Sequence, residues 1–158
     1  MTTQKLEIVL SSPEETAALA QRIAPALTVG DVLLLEGDIG AGKTHFARSL
    51  IQSLLVEPED VPSPTFTLVQ VYETQDFDVW HADLYRLTSP DEVVELGLTE
   101  AFEEAVCLVE WPDRLAELCP KSALKIQLQM SKETGVRNLQ LDAESARWSK
   151  LFQDLGHD

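Results

Sequence analysis

The chain has 158 residues, of which 44% are hydrophobic and 25% are charged. Its 27 acidic residues against 12 Lys and Arg give a formal charge of −15 at pH 7. This composition excludes a collagen-like chain, a disulfide scaffold and a wholly disordered chain, and it predicts one globular domain over residues 1–158. A surface this negative repels a phosphate backbone, so we expect no direct binding to DNA or RNA.

The sequence also predicts where the protein resides. No apolar stretch approaches the roughly 20 residues that span a membrane. The polar start MTTQKLE is unlike a signal peptide. Two cysteines, Cys107 and Cys119, do not make a disulfide framework and indicate reduced thiols. We therefore expect a cytoplasmic protein that does not enter the membrane.

The first half of the chain alternates predicted strands with predicted helices. Strands are predicted at Leu6–Leu10 and Val32–Leu35, and the second is apolar throughout, as is typical of a strand covered on both faces. One helix is predicted to begin at Pro13, because Ser12 offers a capping hydroxyl and proline suits the first turn. A second amphipathic helix is predicted over Lys43–Leu55.

The second half is richer in β-forming residues. The segments Phe66–Tyr72 and Phe77–Tyr85 predict a hairpin, and Pro90–Glu104 predicts two short helices divided near Gly97. An apolar strand, two closing strands and a last helix are then predicted at Ala105–Val109, Leu124–Met130, Leu139–Leu141 and Glu144–Leu155. Together these elements predict an α/β fold with a mixed sheet flanked by helices.

One segment matches the pattern of a phosphate-binding loop, in which a glycine is followed four residues later by Gly-Lys-Thr. It comprises Gly37, Asp38, Ile39, Gly40, Ala41, Gly42, Lys43 and Thr44. Glycines let backbone N–H groups converge on phosphate oxygens at the positive end of a helix. Lys43, expected to be exposed at the helix start, would reach the β- and γ-phosphates, and Thr44 would offer its hydroxyl to Mg²⁺. The alternative is a glycine-rich turn, which the preceding apolar strand and the following helix disfavour.

Two acidic residues are candidates for the carboxylate that such a loop requires near Mg²⁺. Glu110 follows an apolar strand that should be central and parallel, and ligands bind at the carboxyl ends of such strands. Asp83 ends the second strand of the predicted hairpin. The alternatives are a helix-capping acid for Glu110 and a surface acid for Asp83.

Three further features lie near these motifs. His81 and Asp83 share a strand face, but without a third ligand at matching spacing we interpret His81 as a packed, hydrogen-bonded residue rather than a zinc ligand. Trp111 indicates either core packing or a position beside a nucleotide. The segment 61–67 contains two prolines and three hydroxyl residues, which is typical either of a loop that senses the γ-phosphate or of a locally bonded turn.

The motifs taken together resemble those of the bacterial TsaE (YjeE) family. The residues that carry the resemblance are GDIGAGKT (37–44), SPTFTL (63–68), HADLYRL (81–87), ELGL (95–98) and LVEWP (108–112). The resemblance covers roughly residues 6–130, and 131–158 carry no motif. It implies a three-layer fold like that of the phosphate-loop NTPases, and a weak Mg²⁺-dependent ATPase that binds ATP and ADP. This accessory enzyme would regulate or reset the TsaD–TsaB complex, which forms threonylcarbamoyladenosine in tRNAs reading codons that begin with A. From the charge of −15, we expect it to act through these proteins and not by binding tRNA.

The resemblance also implies a role for individual residues. Lys43 would hold phosphates, Thr44 and Glu110 would hold Mg²⁺, and Asp83 would be the catalytic or water-positioning acid. The further nucleotide-binding residues are Thr65, in a switch-like loop, Trp111, beside the nucleotide, and His45, through its backbone. His45 departs from the family pattern, where a small hydroxyl residue is expected. The adenine region would involve Ser12–Thr16 and the turn at Lys132–Arg137.

Two other functions remain open on the sequence alone. A small-molecule or nucleotide kinase shares the phosphate loop, but the six arginines form no cluster of the kind that clamps two phosphates. A nucleotide-gated binding module would share the site and make hydrolysis incidental.

Overall fold

The computed structural model describes residues 3–37, 42–57, 59–64 and 67–156. Within these ranges seven strands form one sheet: β1 (Gln4–Leu10), β2 (Val32–Glu36), β3 (Val69–Glu73), β4 (Asp78–Asp83), β5 (Val106–Glu110), β6 (Leu124–Met130) and β7 (Arg137–Ala143). The same described residues include five α-helices: α1 (Pro13–Ile23), α2 (Lys43–Leu54), α3 (Pro90–Glu95), α4 (Leu98–Glu104) and α5 (Ser149–Gly156). Short 3₁₀ segments lie at Ala24–Ala26, Pro112–Leu118 and Ala146–Trp148.

The sheet is mixed, as the sequence predicts. Its strand order is β1-β7-β6-β2-β5-β4-β3. The four central strands β6, β2, β5 and β4 run parallel, and the outer pairs are antiparallel. The carboxyl ends of β2, β5 and β4 therefore meet at one edge, where ligands bind in sheets of this kind.

Helices cover both faces of the sheet, giving three layers. The apolar residues of β2 alternate between the two cores: Leu33 and Leu35 pack with α1, α2 and α5, whereas Val32 and Leu34 pack with α3 and α4. This alternation explains why the strand is apolar throughout. Among the described residues, no helix has the length and apolar character needed to cross a membrane.

Several predicted boundaries are wrong in detail. The strand predicted from Phe66 begins at Val69, because Leu68 has a left-handed backbone with φ 69° and its N–H bonds to the Pro64 carbonyl at 2.7 Å. The strand predicted to run to Tyr85 ends at Asp83, whose carboxylate accepts from the Tyr85 N–H at 3.0 Å and so starts a turn.

The last two predicted elements also differ from those observed. The strand predicted at 139–141 extends over Arg137–Ala143, because it pairs along its length with both β1 and β6. The final helix does not begin at Glu144: a 3₁₀ turn at Ala146–Trp148 precedes it, capped by the Ser145 hydroxyl.

Candidate functional site

Glycines lie near both ends of the predicted phosphate-binding loop, residues 37–44. Gly37 follows β2 with φ 143°, and Gly42 caps α2 with φ 107°, a conformation that strains any other residue. Among the described residues, no side chain caps α2 and no acidic residue lies in its first turn, which favours an anion at its N-terminal N–H groups. Four predicted loop residues, Asp38, Ile39, Gly40 and Ala41, lie outside the described residues.

The side chain of Lys43 is buried rather than exposed. Only 5% of the residue is accessible. Its Nζ atom donates to the Gly37 carbonyl and lies 3.7 Å from the centroid of the Trp111 ring. The expectation of an exposed lysine is therefore wrong, because an aromatic ring and a loop carbonyl enclose the ammonium group. The group still lies between the loop and the end of β5.

Thr44 and Glu110, predicted from distant parts of the sequence, are in contact. The Thr44 hydroxyl lies 3.0 Å from Oε1 and 3.2 Å from Oε2 of Glu110. Glu110 is 2% exposed and ends β5, which pairs in parallel with β2. The carboxylate and the hydroxyl therefore meet at the start of α2. The cap of the 3₁₀ segment after β5 is Trp111, and no described side chain bonds there, so Glu110 is not a helix-capping acid.

Asp83 lies beside Glu110 at the same edge of the sheet. The two residues are register partners in the parallel pair β4–β5. Asp83 is 6% exposed, which rules out a surface acid of a hairpin, and its Oδ1 atom accepts from the Tyr85 N–H. Its backbone N–H bonds to the Leu68 carbonyl at 2.8 Å, so the end of β4 is also tied to the hydroxyl-rich segment.

The segment 61–68 is anchored at both ends. The Arg48 guanidinium on α2 donates to the Val61 carbonyl at 2.8 Å, and the Leu68 carbonyl accepts from β4. Thr65 lies outside the described residues. Sequence reasoning missed Arg48, although it lies one helical turn after Thr44 and so shares its side of α2.

Trp111 directly follows Glu110 and packs against a second aromatic residue. Its backbone is left-handed, with φ 59° and ψ 55°, which turns the chain sharply after Glu110. The Tyr85 ring lies 4.9 Å from the Trp111 ring, centroid to centroid, and Tyr85 is 46% exposed. Sequence reasoning missed Tyr85, although its place two residues after Asp83 in HADLYRL brings it to the same edge.

His45 joins the phosphate-loop helix to the start of α1. Its Nε2 atom lies 2.9 Å from the Pro13 carbonyl. Leu10, which ends β1, pairs with Arg137 at the start of β7. The start of α1 and the turn before β7, both expected near adenine, therefore lie at neighbouring positions of the sheet edge.

The donor set fits Mg²⁺ bound together with phosphate better than a cage made wholly of protein. Thr44 and Glu110 provide one hydroxyl and one carboxylate in contact, and Mg²⁺ in nucleotide sites takes one or two protein oxygens plus phosphates and water. In the part of the chain that the structure describes, no group of three or more His, Cys, Asp or Glu could hold a metal. His81 is a buried, hydrogen-bonded strand residue, as predicted, and the structure adds that its partner is Glu110.

Comparison with known proteins gives one consistent family. The family model described as threonylcarbamoyl adenosine biosynthesis protein TsaE matches residues 10–139. A protein of Rickettsia felis named tRNA threonylcarbamoyladenosine biosynthesis protein TsaE is 40% identical over 126 residues, covering 80% of this chain and 74% of its own. The protein of the same name from Bacillus subtilis is 38% identical over 149 residues, covering 93% and 92% of the two chains.

The fold agrees with that comparison. The crystal structure of Bacillus subtilis YdiB superposes with a TM-score of 0.82 and 31% sequence identity, covering 99% of this chain and 97% of that one. The matched region includes the phosphate-binding loop, both buried acids and Trp111. The chain therefore belongs to the TsaE family.

Proposed function

We propose that this chain is a weak, Mg²⁺-dependent ATPase that acts in the biosynthesis of threonylcarbamoyladenosine in tRNA. Its ATP binding and hydrolysis would regulate or reset the TsaD–TsaB complex, the partner implied by the family. The observation that carries the proposal is the contact of Thr44 with Glu110 beside Lys43, at the open N-terminus of α2.

Each of these residues has a distinct part in that function. Lys43 and the first N–H groups of α2 would bind the phosphates. Thr44 and Glu110 would hold Mg²⁺, which neutralises charge on the phosphates when it is bound. Asp83, beside Glu110 in the register, would orient a water molecule or accept its proton.

The charge of the chain favours action through protein partners. At −15, the protein would be repelled by tRNA, so it would influence modification without holding the substrate. The segment 61–68 supplies a route for nucleotide-dependent signalling, since it is tied to α2 by Arg48 and to the end of β4 by Leu68. A nucleotide can shift such a segment only by binding its two arrangements with different affinity.

The arginines disfavour the kinase alternative. Arg22, Arg48, Arg114, Arg137 and Arg147 each donate to an oxygen of the protein. Arg48 lies on α2, and Arg114 donates to the Tyr85 carbonyl at 3.4 Å. A kinase lid places several arginines together over two phosphates.

The proposal is tested by calorimetric titration of ATP and by phosphate release, with the chain alone and with TsaD and TsaB. We expect Mg²⁺-dependent binding, slow release, and co-elution with TsaD and TsaB that differs between ATP and ADP. Equal co-elution in ATP, in ADP and without nucleotide would contradict the regulatory role. Phosphate transfer to a small molecule would favour the kinase, and tight binding of bare tRNA would contradict the charge argument.

A further inference from the structure

The imidazole of His81 occupies a position in the sheet where an aliphatic side chain would be expected. Val79, two residues earlier on the same face of β4, is fully buried, and so is Leu108, which lies opposite His81 on β5. His81 itself has no accessible surface. A polar ring is unfavourable in such surroundings unless it makes a hydrogen bond.

Among the described residues, the His81 ring makes one hydrogen bond, which is to the proposed metal-binding carboxylate. His81 Nε2 lies 2.7 Å from Glu110 Oε2. An ionised carboxylate only accepts, so we assign the proton to Nε2, which then donates. His81 Nδ1 is buried, and no described residue bonds to it. The ring is thus held in the core by a single polar contact, and that contact is to Glu110.

Two side chains from different parts of the fold therefore hold the Glu110 carboxylate. The Thr44 hydroxyl approaches from the phosphate loop, at 3.0 and 3.2 Å from the two oxygens. His81 approaches from the interior of the sheet, where its position does not depend on the loop. The carboxylate therefore keeps one fixed partner even when the loop binds a ligand.

We propose that His81 is a positioning residue, which orients the Glu110 carboxylate for Mg²⁺ by donating a hydrogen bond from Nε2. The inference rests on the proposed function of Glu110 as a magnesium ligand. Partners of this kind fix the direction of a ligand's lone pairs, and their loss typically weakens metal binding about 10- to 100-fold. His81 touches neither nucleotide nor metal in this assignment.

Three variants separate positioning from packing. His81→Leu removes the donor and keeps an apolar side chain of moderate size. His81→Gln restores an N–H donor with a reach similar to that of Nε2. Val79→Ala is the matched control, because it removes buried volume from the same face of β4 and leaves the contact with Glu110 in place.

Two measurements decide the proposal. The first is the imidazole ¹⁵N spectrum of the nucleotide-free protein, which reports the tautomer, and we expect Nε2–H. The second is the calorimetric affinity for ADP with Mg²⁺ and with a chelator. The gain is the increase in ADP affinity that Mg²⁺ causes. In His81→Leu we expect this gain to be reduced about 10- to 100-fold, whereas the affinity for ADP in chelator should be unchanged. His81→Gln should recover most of the gain, and Val79→Ala should keep it.

Each contrary result has a separate meaning. An Nδ1–H tautomer, or a gain from Mg²⁺ in His81→Leu equal to that of the wild type, overturns the positioning role alone. A wild-type chain that gains nothing from Mg²⁺ overturns the proposed function and this inference with it. If His81→Leu fails to fold, His81→Asn replaces it, because the shorter amide does not reach Glu110. In that variant an undiminished gain in ADP affinity from Mg²⁺ overturns the proposal, and a reduced gain supports it.

Discussion

The ammonium group of Lys43 lies 3.7 Å from the centroid of the Trp111 ring, in the range of a cation–π contact. Trp111 reaches this position because its left-handed backbone turns the chain immediately after β5. The lysine expected to bind phosphate is therefore already held by a ring and by the Gly37 carbonyl. A nucleotide that engages Lys43 must alter the surroundings of Trp111.

We expect ATP to change the tryptophan emission of the protein through Trp111. The change should disappear in Trp111→Phe and persist in Trp80→Phe, since the Trp80 ring lies beside Gly97 at the start of α4. Trp148, which is fully buried and bonded to the Ser122 carbonyl, should contribute a constant signal. Fluorescence titration of the three proteins checks this, and a change that survives in Trp111→Phe would contradict it.

Replacing Lys43 should abolish nucleotide use with little loss of stability. A buried cation is costly to keep, so Lys43→Met, which retains the apolar stem, should unfold within a few degrees of the wild type. ATP affinity should fall below detection in the calorimeter, because the point charge on the phosphates is gone. Wild-type affinity and phosphate release in this variant would refute the phosphate-loop assignment.

Replacing Glu110 and Asp83 by the corresponding amides should impair different steps of the reaction. Glu110→Gln should weaken the effect of Mg²⁺ on binding and lower hydrolysis at fixed magnesium. Asp83→Asn should bind nucleotide normally and slow phosphate release by about 10²- to 10⁴-fold, the usual contribution of a general base. Titration and single-turnover release distinguish the two outcomes. Unchanged hydrolysis of ATP in both variants would show that Glu110 and Asp83 have only a structural role.

The residues of the candidate site could be picked out because their signals are local. Gly42, Lys43 and Thr44 belong to a short sequence pattern, and Glu110 follows from an apolar strand ending in an acid. The contact between Thr44 and Glu110 depends on β2 and β5 being neighbours, which the sequence favours but does not specify. Tyr85 and the buried position of Lys43 depend on the backbone of Trp111, for which the sequence has no signal.

The C-terminal part of the chain was the least predictable, because it carries no motif. In the structure β7 lies between β1 and β6, and Trp148 is among the largest fully buried side chains. β7 is longer than predicted because it pairs with β1, from the other end of the chain, as well as with its hairpin neighbour β6. The helix α5 begins late because Ser145 caps a 3₁₀ turn, and local sequence scarcely separates such a turn from a first α-helical turn.

Stability should decline at alkaline pH because of one buried thiol. Burial raises the pKa of Cys107 to about 12. The thiol in an unfolded chain has a pKa of about 8.5. Between these two pKa values the unfolded state binds fewer protons than the folded state, so rising pH favours unfolding. The free energy of unfolding should fall by up to about 1.4 kcal/mol per pH unit above about pH 8.5. Urea unfolding from pH 7 to 10 measures this, and Cys107→Ala should flatten the profile; parallel profiles would contradict it.

A bidentate ion pair fastens the C-terminal segment to the start of β2. Arg147 Nη2 lies 2.6 Å from Asp31 Oδ2, and Nε lies 3.1 Å from Oδ1. The Asp31 side chain is 7% exposed and also accepts from the Thr28 N–H at 2.8 Å. Asp31 precedes β2 whereas the phosphate loop follows it, so the pair lies at the opposite end of the strand from the candidate site.

Arg147→Met should therefore destabilise the fold and leave nucleotide affinity unchanged. Removing the guanidinium leaves the Asp31 carboxylate buried with fewer partners, which costs about 1–3 kcal/mol. The loss should stay below that of a fully buried pair, because the Arg147 side chain is 35% exposed. Combining Arg147→Met with Asp31→Asn should cost less than the two separate losses, since the second change removes the stranded charge. Urea unfolding of the single and double variants measures the coupling between Arg147 and Asp31. Additive losses of stability, or a reduced affinity for ATP, would contradict a purely structural role for the pair.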